Sequence, residues 1–500
     1  MTKGASEAKR LKAIKKAKGP ARQPTRASPS KRLKSLSVES ARAAAATTVE
    51  LSETMITLSA YIARALKISL PKDVTERAKL HLLDALAAMI SGSRLLPGRR
   101  VIDYIKTLGG TKEACVVGTR IMTTAINAAL ANGIFGHADE TDDWHEDSIT
   151  HPGCSVGSAV LALAERNRHG GTALLRAMVL GYDVGARLTM SMDAYRSLQR
   201  GHHPPVFGDL FGAAAAAGAL AGLSPECVRY MLSYTAQQAS GLPCLLRDLE
   251  HTEKAFDIGG MPAHNGVQAA LLAAHGFTGV ADVFSGDHNF FAVYSPDANL
   301  EVLTRELGKT YEVMNTSIKK WSVGAPILSS LDAIETLKRN YAFSASDVER
   351  LVIRVGKREA GVVNNRAMPD INIQHLVAVM LLDNTLSFTA AHDLKRMRDP
   401  EVVKLKERIE LVGSPEMSDP KRRWHGEVEL VLRDGRTIKH YTPGAHGTIH
   451  KPLTRQEGIA KALDLLAPVL GKRKAELLID AVWNIEKITD MRKMRSLYRV

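Results

Sequence analysis

From about Val49 the apolar positions of the chain recur every three to four residues, and they keep that spacing to about residue 275. Leu, Ile, Ala and Val at helical intervals predict helices over 53–68 and 74–92, as in His81-Leu82-Leu83-Asp84-Ala85-Leu86, with Pro71 and Asp73 marking the break between them. Ala-rich runs predict further helices over 123–135, 155–166, 172–187, 211–221, 226–240 and 262–275. Small side chains let helix axes approach closely, so residues 46–316 are expected to form one large all-helical domain.

After about residue 316 the pattern changes period. Val348-Glu349-Arg350-Leu351-Val352-Ile353-Arg354-Val355 alternates every second residue, as does Glu427-Val428-Glu429-Leu430-Val431-Leu432. The latter runs through Asp434-Gly435 into Thr437-Ile438-Lys439-His440-Tyr441, which predicts a hairpin. Arg408 to Val412 is a further short strand, and helices are predicted over 327–341 and 373–386. Residues 317–452 therefore read as a smaller α+β unit. Helical spacing returns at 453–467 and 472–486, so residues 453–500 are expected to rejoin the helical domain. The fold class is mostly α, with no repeat of fixed period.

One loop breaks the apolar pattern. Residues 137–154 hold His137, His145 and His151 together with Asp139, Glu140, Asp142, Asp143, Glu146 and Asp147. The flanking apolar helices are not expected to absorb so many charges, so the stretch should line a cleft. Its chemistry is that of a metal site, an acid/base site or a solvated acidic loop. The metal reading is the weaker, because His137, His145 and His151 lie eight and six residues apart across turn residues, with no fixed helical pair such as HExxH. No strand leads into GxGxxG, which argues against a dinucleotide site, and Cys154 has only Pro-Gly-Cys behind it as a nucleophile.

Composition narrows the class. A hydrophobic fraction of 45% fits a soluble globular protein, and no run of about 18 apolar residues predicts a membrane span. Four scattered cysteines without a CxxC pair suggest a reducing, cytoplasmic setting. The net charge is local: residues 1–36 carry twelve Lys or Arg against Glu7 alone, +11 of the formal +14. Residues 1–45 are thus expected to be a disordered basic tail, the alternatives being a targeting peptide or an arm for nucleic acid or anionic lipid. Nucleic acid is not expected to meet the nearly neutral body.

Basic and imidazole groups elsewhere complement the acidic loop. His203 lies in Gly201-His202-His203-Pro204-Pro205, read as a stiff turn before the helix at 211. Lys254 precedes Gly259-Gly260, where glycines would let backbone approach a ligand, and Lys319 with Lys320 opens the smaller unit. Singly each has a dull reading as a surface residue. Together they favour an acid/base site for a carboxylate, with lysines binding the anion and His or Glu moving protons.

Several segments, in order along nearly the whole body, resemble the MmgE/PrpD family of 2-methylcitrate dehydratase and cis-aconitate decarboxylase. They are Leu82-Leu83-Asp84-Ala85, Ala128 to Gly133, His137 through His151-Pro152-Gly153, Gly201-His202-His203 with Phe207-Gly208, Lys254 to Gly266, Lys319 to Ala333, and His375 to Asp383. The resemblance implies an all-helical domain with an α+β lid, an active site between them, a homodimer, and no metal or organic cofactor. It also implies a small di- or tricarboxylate substrate, and it carries catalytic histidines onto His151 and His203 and active-site lysines onto Lys254 and Lys319. The pattern departs at Glu140, at Trp144, where a small hydroxyl is usual, and at His375, on the position of a lid tyrosine.

The expected mechanism has Lys254 and Lys319 holding a carboxylate and stabilising an enediolate. His151 or His203 is the base, the other or His375 the acid, and Glu140 and Asp142 orient an imidazole, with Trp144 against the substrate. A dehydratase-type lyase is expected first, then an isomerase or epimerase, then a decarboxylase. The alternative of another class is an inactive helical scaffold that recruits a partner through its basic tail.

Overall fold

The computed structural model describes residues 50–418 and 424–500; the expected basic tail of residues 1–45 lies outside the described residues. The helical half opens with α1 (Glu53–Arg64), α2 (Lys72–Gly92), α3 (Leu96–Leu108) and α4 (Ala125–Gly136). It continues with α5 (Pro152–Asn167), α6 (Gly171–Ser191), α7 (Pro204–Leu220), α8 (Pro225–Gln237) and α9 (Met261–Ala274). Side chains of Ser52, Thr124 and Ser224 cap α1, α4 and α8 by accepting from backbone N–H groups in the first turn.

Two boundaries differ from the pattern. Helix α3 is not among the elements expected from the sequence; Pro97 occupies its first turn, where its missing N–H costs nothing. Helix α7 begins at Pro204 for the same reason, so the segment read as a stiff turn is already helical and His203 is its N-cap. Close packing explains the glycines of α6 and α7. A Cβ on Gly185 would lie 2.5 Å from the carbonyl oxygen of Gly208, and one on Gly212 would lie 2.5 Å from that of Gly181. Every residue of α7 is buried.

The α+β half carries α10 (Leu328–Asn340) and α11 (Ile373–Asp383) over a four-stranded sheet of β1 (Val348–Gly356), β2 (Ile409–Ser414), β3 (Gly426–Leu432) and β4 (Thr437–Thr442). Strand order is β2-β1-β3-β4, with β1 and β2 parallel and the other pairs antiparallel. The expected hairpin is β3–β4, and Gly435 at φ +85° supplies its left-handed turn residue. Helices α12 (Arg455–Leu470) and α13 (Lys472–Trp483) follow.

Residues 51–500 form one compact unit with two hydrophobic cores. The first gathers α1 to α9 with α12, α13 and the chain end to Tyr498. The second gathers residues 321 to 445 around the sheet. Among the described residues no helix is long and apolar enough to cross a membrane.

Candidate active site

A two-residue ladder assembles the site. Trp144 and His145 pair antiparallel with Ser317 and Thr316, which fastens the acidic loop to the chain just before Lys319. The loop closes on itself where His145 N donates to the Thr150 carbonyl at 3.0 Å. Ile149 within that turn takes φ +58°, a left-handed conformation that is rare for a β-branched residue and held only by its surroundings.

The expectation that the flanking helices would not absorb the loop's charges is overturned, although Asp139 does line a cavity of about 320 Å³ beside His251 and His392. His137, Asp139, Glu140, Asp142, Asp143, His145 and His151 are all buried, and only Asp147 of the stretch is exposed. The helices absorb the charge by pairing it. Asp143 meets His81 Nδ1 at 2.7 Å and accepts from the Tyr182 hydroxyl at 2.5 Å and from Gly153 N at 2.8 Å. Asp139 meets His392 Nε2 at 2.9 Å and accepts from Thr141 Oγ1 at 2.6 Å. Lys461 of α12 donates to the Thr141 carbonyl at 2.9 Å and pairs with Asp84 of α2 at 2.6 Å.

At the centre, Asp142 lies between two imidazoles. One oxygen meets His137 Nδ1 at 2.8 Å; the other stands 3.3 Å from His151 Nδ1 and 3.8 Å from Lys319 Nζ. Burial would raise this carboxyl, but His137 and His151 hold it well below the usual carboxylate range. His137 is pushed the other way: burial lowers it despite Asp142, so the neutral ring is favoured. The His137 and His151 rings are 4.8 Å apart, and Trp144 packs edge-on against His151 at 4.7 Å.

Glu140 ties both expected lysines into the same cluster. It is bonded to Lys254 and stands 3.6 Å from Lys319, whose ammonium donates to the Glu140 carbonyl at 2.9 Å. Burial opposes its charge, yet Lys254 and Lys319 keep its carboxyl well below its ordinary value. The lysines are therefore already neutralised by a protein carboxylate. Lys254 is the more open of the two, its side chain 19% exposed against 2% for Lys319.

The structure thus brings Glu140, Asp142, Trp144, His151, Lys254 and Lys319 together. It leaves two expected residues elsewhere. His203 Nδ1 bonds Asp257 at 2.8 Å, on the segment that follows Lys254, and among the described residues it makes no ring contact with His137 or His151. His375 lies on α11 in the second core, with both ring nitrogens shielded and unpartnered. Burial, then Lys406 and Arg396, push it down to about 4, and its neighbours are not those of Glu140. A lid histidine that donates a proton at neutral pH is not what this environment makes.

Other residues were missed. His251, in the left-handed conformation at φ +59°, sits 4.0 Å from Glu140 and 5.3 Å ring to ring from His137, and burial, then Lys254, lower it to about 3. Its place three residues before Lys254 was the available signal. Asp209 of α7 accepts from His151 N at 3.3 Å, and burial raises its carboxyl well above the ordinary range. Gly259 and Gly260 do not serve ligand approach: a Cβ on Gly259 would lie 2.1 Å from the Gly133 carbonyl oxygen, so they serve the packing of α4 against this turn. The Cys154 thiol donates to the His151 carbonyl at 3.0 Å and burial pushes it well up, which does not suit a nucleophile.

Chemically, the centre offers two imidazoles facing one carboxylate, that of His137 kept neutral by burial, beside two ammonium groups. His137, Asp142 and His151 are also the group among the described residues whose ligand atoms, all within 4.8 Å of one another, could hold a metal ion.

The MmgE/PrpD N-terminal domain matches residues 56–303, and the MmgE/PrpD C-terminal domain matches residues 321–486. A cis-aconitate decarboxylase-like protein of Aspergillus oryzae is 25% identical, covering 86% of this chain and 93% of its own. Cis-aconitate decarboxylase of Mus musculus is 26% identical over 87% of this chain and 91% of its own, and that of Aspergillus terreus is 23% identical over 86% and 92%. With both family domains matched in order along the same polypeptide, the chain belongs to the MmgE/PrpD family.

Proposed function

We propose that this protein is a lyase that acts, without metal or organic cofactor, on a small di- or tricarboxylate through a carbanion formed beside a carboxylate. The observation that carries the reading is Asp142 set between the Nδ1 atoms of His137 and His151, next to the Lys254–Glu140–Lys319 cluster. A carboxylate facing Nδ1 favours the tautomer whose Nε2 bears a lone pair. It also stabilises the imidazolium that forms when Nε2 takes a proton.

A substrate carboxylate would share Lys254, the more exposed ammonium. Because Glu140 and Asp142 already balance the two lysines, the added negative charge favours protonation of a neighbouring imidazole. In dehydration, His151 takes the proton from the carbon next to the carboxylate, the electron pair enters the enediolate, and a protonated imidazole returns a proton to the departing hydroxyl. In decarboxylation, the carbon–carboxylate bond breaks, carbon dioxide leaves, and the carbanion takes a proton from the imidazolium.

Dehydration is the reaction that the sequence suggests first; decarboxylation is the one named for the relatives. Both need the same proton carrier. Incubation with 2-methylcitrate, citrate and cis-aconitate in deuterated water separates them: alkene absorbance marks dehydration and carbon dioxide release marks decarboxylation. Deuterium exchange alone marks isomerisation. No reaction with any di- or tricarboxylate would overturn the lyase reading and favour a scaffold.

A further inference from the structure

Two successive carbonyl groups of the acidic loop, those of Glu140 and Thr141, each accept a hydrogen bond from a lysine ammonium at 2.9 Å: Lys319 takes the first and Lys461 the second. These are the two peptide groups that join Glu140 to Asp142. One end of that short stretch pairs with both Lys254 and Lys319, and the other faces both imidazoles. Lys461 reaches it from α12, 320 residues further along the chain.

An ammonium on a side chain only 5% exposed is costly to desolvate, and the ion pair with Asp84 at 2.6 Å offsets that cost. Core stability asks for no more than this pair. The same ammonium goes further and donates into the loop, so α12 is tied to the backbone between the two site carboxylates. Asp464, three residues on along α12, accepts from Phe388 N at 2.6 Å, and four residues after Phe388 the His392 ring meets Asp139 at 2.9 Å. Helix α12 therefore braces the loop directly at Thr141 and, through residues 388–392, at Asp139.

We propose that Lys461 is a positioning residue for proton transfer: by fixing the Thr141 carbonyl it sets the backbone from which Asp142 meets His137 and His151. This rests on the lyase reading of that cluster. Lys461 touches neither imidazole in this assignment and acts through Asp142, whose carboxylate must stay between the two Nδ1 atoms for the rings to keep their orientation. Without Lys461, Glu140 is still anchored by Lys254 and Lys319. The loss therefore falls on the proton-transfer step and spares the binding of the substrate carboxylate.

Lys461→Met alone strands the buried Asp84 carboxylate, so it is compared in the full chain with Lys461→Met/Asp84→Asn, which removes both ions of the pair and covers the case in which the single variant fails to fold. In the double variant kcat, referred to the folded fraction, should fall about ten- to a hundredfold, the cost of a shift on the order of 1 Å at the reacting groups, while KM stays within about threefold. A pair that served core stability alone would give a folded double variant with unchanged kcat; that result, or a loss carried by KM, overturns the proposal. Proton NMR of the buried imidazole N–H groups, assigned through His137→Gln and His151→Gln, reads the same geometry without turnover. Their resonances should move in the double variant, and unmoved resonances overturn the proposal even where kcat falls. Failure of the lyase reading shows separately, as absent turnover of every carboxylate by the unmodified protein while the double variant still moves those resonances; the placement of Asp142 by Lys461 then stands.

Discussion

The Asp142 carboxylate stands 3.3 Å from Nδ1 of His151, while its other oxygen meets His137 at 2.8 Å, so a single buried anion governs two imidazoles. The arrangement is unequal. The shorter contact is to the ring that burial keeps neutral, and the longer leaves His151 free to adjust as charge develops on a substrate. His151 is also fixed from behind, since its backbone N–H donates to Asp209 and its ring abuts Trp144. A ring held on three sides can be precise about where its remaining nitrogen points.

The Glu140–Lys319 contact should behave as one half of a buried charge cluster. Lys319→Met leaves Glu140 with Lys254 alone, and Glu140→Gln leaves two ammonium groups without their shared carboxylate. Each single variant is expected to lose about 3 kcal/mol of stability. The double variant should lose less than the sum by about 1 kcal/mol or more. Urea denaturation of the four proteins measures this; strict additivity would mean that the two groups do not interact.

Stability should fall on both sides of mildly acidic pH. His392 is buried, but Asp139 outweighs that burial and raises it to about 9, above its unfolded value of about 6.5. The folded state then keeps a proton that the unfolded state gives up, so this contribution is whole below about pH 6.5 and is lost as pH rises through about 9. His251 has the opposite sign: burial, then Lys254, lower it to about 3, so the unfolded chain binds the extra proton and stability is lost as pH falls from about 6.5 towards 3. Melting temperatures from pH 4 to 10 should show a dome, with His392→Gln flattening its alkaline side. An unchanged alkaline limb would remove the His392–Asp139 pair from the account.

Much of this fold could be read from apolar spacing, because amphipathic segments such as α13, which buries Ala475, Leu478, Ile479 and Val482, and a hairpin with Asp434-Gly435 announce themselves locally. The position of Pro204 misled for a local reason too: proline breaks a helix inside but suits its first turn. The site was half legible. Loop 137–154 stood out by composition, but its burial depended on partners as remote as His81, Tyr182, His392 and Lys461, which no window contains. His375 was placed by analogy to a motif position, whereas its surroundings are decided by the core of the α+β half.

Metal removal distinguishes the two chemistries open to His137, Asp142 and His151. With Nδ1 of each ring turned to the carboxylate, the trio resembles an oriented acid/base pair, and exhaustive treatment with EDTA should leave turnover of a carboxylate substrate intact. Loss of activity restored by one divalent ion would reassign all three residues as ligands.

His151 decides whether the cluster is catalytic. The alternative is a helix cap, since the residue precedes α5 at its N-cap position, and a capping role would tolerate an amide. The structure weakens that alternative, because no side-chain capping bond forms and the first free N–H engaged nearby, that of Gly153, is satisfied by Asp143. His151→Gln should therefore fold with a melting temperature near that of the unmodified protein. An amide fills much of the space and can still face Asp142, but it cannot accept and return a proton. Turnover of whichever carboxylate the protein accepts should drop by about two orders of magnitude or more. Substrate affinity should change little, since Lys254 and Lys319 remain. A folded glutamine variant with full activity would remove His151 from the proton-transfer path and direct attention to His137, whose Nε2 is buried and unpartnered.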